Sequence, residues 1–107
     1  MTLREKRVLF SHLLCGLVRQ ANFLGYQTAI GWVRRGTDVG HTRSLHLESL
    51  AADIELYKWV NGRWVYCRDT EDHRELGEWW ERQHELASWG GHFNDGNHYS
   101  IRNRGMR

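Results

Sequence analysis

The chain has no proline and only two cysteines in 107 residues. Without proline there is no polyproline spacer, and no linker, repeat or low-complexity tract divides the chain. Cys15 and Cys67 match no metal-binding spacing, and a single pair is not a disulfide framework. Both are read as reduced, packed thiols, consistent with synthesis in a cytosol. Long apolar runs are also missing. The stretch around Leu13 is broken by Cys15, Gly16 and Arg19. It is too short for a membrane span and does not read as a signal peptide. Charge is nearly balanced, with a net of +2. That surplus is too mild to argue for nucleic acid. It gathers near the ends, in Arg4, Lys6, Arg7, Arg102, Arg104 and Arg107, and is read as solvated termini.

Aromatic residues are plentiful, six tryptophans among them, and 40% of the chain is hydrophobic. This predicts one folded domain over residues 1–107. Leu3, Phe10, Leu13, Leu14, Leu17, Val18 and Leu24 recur at helical spacing, so residues 2–24 read as an amphipathic helix capped by Thr2 and stopped by Gly25. Residues 26–35 alternate as a strand and residues 36–40 form a loop. Residues 51–60 and 63–67 read as a hairpin around Asn61-Gly62. A second helix is expected over residues 71–87, capped by Asp69 or Thr70, with Leu76, Trp79, Trp80, Gln83 and Leu86 along one side. Residues 89–93 read as an aromatic turn and 99–102 as a last strand. The order predicts an α+β fold: a small antiparallel sheet with helices packed on one side and a cleft on the other.

Two histidines and one carboxylate make a common shell for a catalytic zinc. His46, Asp53 and His98 offer that set. His46 and Asp53 are seven positions apart, about 10 Å along a helix and about twice that along a strand. Metal bonds are only about 2 Å long, so the chain must turn back between them. Asp95 lies three residues before His98 with Gly96 between, and a tight turn can aim both into one cleft. Its carboxylate would suit a general base. The plainer reading of Asp95 is an Asx turn residue, and that of each histidine an ordinary surface or core residue. Arg34 and Arg35 could steady an oxyanion or a substrate carboxylate, or simply end a strand in solvent. Strand parity counted from Tyr26 selects Arg35 for the cleft. His73 and His84 are expected at the surface. Trp79, Trp80 and Trp89 are expected in the core.

Ser-Leu-His-Leu-x-x-Leu-Ala-x-Asp-Ile-x-Leu from Ser44, then Leu-Gly-x-Trp-Trp-Glu from Leu76, then Trp-Gly-Gly-x-Phe-x-Asp-Gly-Asn-His from Trp89 form an ordered set. Together they resemble the zinc D-alanyl-D-alanine carboxypeptidase family. The likeness is greatest to its phage endolysin branch, the L-alanyl-D-glutamate endopeptidases of peptidoglycan. The resemblance runs from about Gly25 to Ser100. It implies a zinc cofactor on His46, Asp53 and His98, with Asp95 and Arg35 catalytic. It further implies that Arg35, Ser44 and His92 contact substrate. The implied activity is hydrolysis of the stem peptide at the L-Ala-D-Glu bond. The alternatives are a D-Ala-D-Ala carboxypeptidase, or a non-catalytic zinc-containing binding domain of the same fold. A small metal-dependent nuclease ranks below these.

The implied partner is bacterial peptidoglycan, with no nucleic acid and no membrane anchor, for a monomer. Such a protein is made in the host cytoplasm and lyses the cell wall after release. Two departures stand out. Ser49 replaces the Gly that many members carry three residues after the first histidine, and His92 replaces a longer residue before Phe93.

Overall fold

The computed structural model describes residues 1–32 and 49–106. Helix α1 (Leu3–Phe23) begins at a reciprocal cap. Thr2 Oγ1 accepts from the Glu5 amide and the Glu5 carboxylate accepts from the Thr2 amide, at 3.1 and 2.7 Å. Two otherwise unsatisfied amides are thereby paired, which places the helix start within one residue. Leu24 closes the helix and Gly25 follows with φ 96°, a left-handed exit that favours glycine.

Five antiparallel strands follow: β1 (Tyr26–Trp32), β2 (Ala51–Val60), β3 (Arg63–Cys67), β4 (Ala87–Trp89) and β5 (His98–Ile101). The long β2 is the centre. One of its edges carries β1. The other carries β5 beside its first three residues and β3 beside its last five. β4 completes the sheet outside β5. Asn61 and Gly62 both take positive φ, 49° and 84°, as a tight two-residue hairpin between twisted strands requires.

Alternation along β2 divides its side chains. Ala52, Ile54 and Leu56 are fully buried and join Tyr99, Ile101 and Trp89 of the neighbouring strands in the core. Helix α1 adds Phe10, Leu17 and Ala21, and helix α2 (Arg74–Gln83) adds Leu76 and Trp80. Trp80 meets Phe10 and Tyr99 edge to face, with centroids at 6.0 and 5.8 Å. Its indole N–H donates to the Ser100 carbonyl at 3.0 Å, tying α2 to β5. Asp53, Glu55, Tyr57 and Trp59 occupy the opposite face of β2, by the two-residue period of a strand.

The structure corrects several expectations. The second helix does not run through residue 87. A 3-10 turn (Thr70–His73) precedes it, and it ends at Gln83. His84 is fully extended, and Ala87–Trp89 pairs with β5 instead. Those residues fit a helical pattern, but strand pairing supplies partners for their backbone groups and seats Trp89 in the core. Trp89 belongs to that strand and not to a turn, and Gly90–Phe93 form a second 3-10 turn. His73 is buried and not at the surface, and Cys15 is exposed and not packed.

A register shift between Ile30 and Trp32 pairs Ile30 with Ile54 and Trp32 with Asp53. The extra residue, Gly31, is a bulge, so faces counted from Tyr26 do not carry past it. Strand parity therefore no longer selects Arg35 over Arg34. Both lie outside the described residues, as do Ser44 and His46.

Candidate metal centre

Antiparallel pairing places Asp53 of β2 directly opposite His98 of β5. Directly paired residues point to the same face. His98 Nδ1 lies 3.7 Å from Asp53 Oδ1, and the two side chains are 10% and 19% exposed. The next pairs on this face are Ala51 with Ser100 and Ser100 with Ser88, all buried. Ser100 Oγ donates to the Ser88 carbonyl at 3.4 Å. The acid and imidazole thus stand at the end of a row of small buried residues, one alanine and two serines.

The bend before β2 is visible at Ser49, which has φ 60°. This left-handed conformation is costly for a side chain with a β-carbon and favours glycine. It marks a sharp change of direction just before the strand bearing Asp53.

The loop leading to His98 is shaped by close approaches. Asp95 N–H donates to the Gly90 carbonyl at 2.9 Å, and His98 N–H donates to the Asp95 carbonyl at 3.1 Å. A β-carbon on Gly90 would overlap the Asp95 carbonyl oxygen, and one on Gly96 would lie 2.6 Å from Thr70 Cα. Asn94 supplies the left-handed bend, with φ 60°. The Gly96 carbonyl accepts from the Trp89 indole at 2.7 Å. Asp95 itself is exposed on the turn. It is joined to His98 by this backbone bond, so its position is tied to the pair.

The Leu-Gly-x-Trp-Trp-Glu segment reads in the sequence as one side of a helix with its tryptophans in the core, and as one of the motifs that carry the resemblance. Its residues in fact hold this loop. Gly77 lets the Trp89 indole lie against α2, and a β-carbon there would overlap the ring. The Glu81 carboxylate accepts from the Trp89 amide at 3.1 Å and meets His92 Nε2 at 2.8 Å. His92, expected to contact substrate, is exposed and held by Glu81 and against Trp89, with centroids 5.7 Å apart. The signal available in the sequence was co-occurrence: a small residue and an acid four positions apart on a helix, followed by a tryptophan.

A second buried pair lies behind the sheet. His73 Nδ1 is 2.8 Å from the Tyr99 hydroxyl. Burial pushes His73 down to about 4, and burial also pushes the Tyr99 phenol well up. The imidazole is therefore neutral and the phenol protonated near neutral pH, and the hydrogen bond joins two uncharged groups. This histidine is a core residue on the helix side of the sheet, away from Asp53.

Asp53 and His98 meet a basic requirement for a shared cation. Donors bound at about 2 Å to one tetrahedral ion sit roughly 3.3 Å apart, close to the observed 3.7 Å. Among the described residues no group of three or more His, Cys, Asp or Glu is assembled for a metal, and His46 is not among them. Comparison with family models, with curated proteins and with solved structures finds no match.

Proposed function

We propose that the protein is a zinc-dependent peptidoglycan peptidase that cuts the stem peptide at the L-Ala-D-Glu bond. The observation that carries this reading is the Asp53–His98 pair, brought to one face from separate motifs and 3.7 Å apart. The motif resemblance supplies the rest: His46 as third ligand, Asp95 as base and Arg35 as substrate contact. An antiparallel sheet with its helices on the face away from Asp53 is compatible with that assignment.

Zinc bound by His46, Asp53 and His98 would acidify a water to a pKa of about 7 and polarise the scissile carbonyl. The chain's residues do the remaining work. Asp53 and His98 are fixed by strand pairing, so they need little reorganisation to bind. An Asp95 carboxylate oxygen accepts a proton from the attacking water and returns it to the leaving amine. Its backbone bonds to Gly90 and His98 fix the turn that carries it. Arg35, by resemblance, holds a stem-peptide carboxylate or the developing oxyanion.

Digestion of purified peptidoglycan with and without chelator, followed by mass analysis, tests this directly. Free L-Ala termini still on the glycan, with released peptides beginning at D-Glu, are expected only without chelator. Loss of terminal D-Ala alone would make the protein a carboxypeptidase. Unchanged wall would remove the enzymatic reading.

A further inference from the structure

Beyond Leu56 the face of β2 that carries Asp53 becomes aromatic. Tyr57 faces Tyr66 and Trp59 faces Trp64 across the hairpin, by direct register. Their ring centroids are 5.5 and 5.4 Å apart. These rings are not core. Trp59 is 58% exposed, Trp64 41% and Tyr66 49%. An exposed cluster of large rings leaves costly apolar surface in water and commonly marks a binding face.

Polar groups accompany the rings. Glu55 accepts from the Tyr57 hydroxyl at 3.1 Å. On β1, Gln27 pairs with Tyr57 and so shares this face, and it is exposed. Flat rings flanked by a carboxylate and an amide match a sugar ring, which presents C–H groups on its faces and hydroxyl and amide groups around its rim.

Position narrows the sugar. Asp53 and Trp59 are six residues apart on one strand face, about 20 Å, a run that can hold several sugar units. A stem peptide hangs from the glycan by its L-Ala end. A site that cuts next to that residue must therefore have the sugar chain passing close by. We infer that the Tyr57–Tyr66 and Trp59–Trp64 pairs form a stacking subsite for the N-acetylhexosamine glycan strand, an inference that rests on the peptidase reading above.

Calorimetric titration of the whole chain with a soluble β-1,4-linked N-acetylglucosamine hexamer tests it. Saturable binding is expected, unaffected by chelator. Trp59→Leu and Trp64→Leu should each weaken it about tenfold, the scale of one lost ring contact, whereas Trp59→Phe should keep most of it. The two Leu variants should also slow on intact wall while cutting a glycan-free stem peptide at the wild-type rate. Absence of saturable binding overturns the subsite, as does wild-type affinity in both Leu variants. Vesicle binding or self-association that the Leu variants preserve, without hexamer binding, also overturns it. Hexamer binding lost in the Leu variants, in a chain that cuts no stem peptide, sinks the peptidase reading and leaves the sugar subsite standing.

Discussion

Asp53 and His98 come from opposite ends of the described second half of the chain, yet strand register sets them face to face with Nδ1 and Oδ1 3.7 Å apart. Neither residue needs a flexible arm to reach the other. The central strand holds one and its hydrogen-bonded neighbour holds the other.

If this pair holds zinc, Asp53→Ala and His98→Ala should each lose the metal, and His46→Ala should do the same. Metal analysis of purified variants gives the answer. Full zinc occupancy in any of the three would take that residue out of the ligand set.

Asp95→Asn should behave differently. Asp95 is assigned as a base and lies exposed on the turn, so zinc content and melting temperature should stay near wild type. Wall hydrolysis should fall by about 100-fold or more, the usual scale of general-base catalysis. A well-folded variant with near-normal turnover would refute the role.

The His73–Tyr99 pair should make stability depend on acid. The folded pKa of His73, about 4, lies below its ordinary value of 6.5. The unfolded chain therefore takes up the proton first as pH falls. The contribution is fully present above about pH 6.5, is lost progressively down to about pH 4, and amounts to about 3 kcal/mol in total. Denaturant unfolding of wild type and His73→Gln across this range should show a steeper loss in wild type. Parallel curves would mean that His73 does not titrate as its burial implies.

Gly77→Ala sets two effects against each other. Alanine gains about 1 kcal/mol in helix propensity over glycine. Its β-carbon would overlap the Trp89 indole, which is enclosed by the core and bonded to Gly96, so the ring cannot move freely. Forced repacking of this kind costs about 1–3 kcal/mol, and here it should dominate. A lower melting temperature is expected, together with altered fluorescence from Trp89. A rise in melting temperature would show that the ring yields easily.

The hairpin at Asn61-Gly62, the cap at Thr2 and the bounds of β2 and β3 were legible in the amino-acid order because each depends on neighbours a few residues away. A turn that needs two positive φ values, or an amide that needs a side-chain acceptor three residues on, is a local problem with a local solution. The candidate pair was half legible: residue types and spacing singled out Asp53 and His98, and Asp95 before it. Their juxtaposition was not legible, since it depends on which strands pair and in what register. Tertiary structure alone ended α2 at Gln83, buried His73 against Tyr99, and inserted the bulge at Gly31 that undoes the parity argument for Arg35. It also placed the hairpin aromatics in line with Asp53. In each case burial and strand pairing between distant residues outweighed local propensity, and no short window of sequence contains those terms.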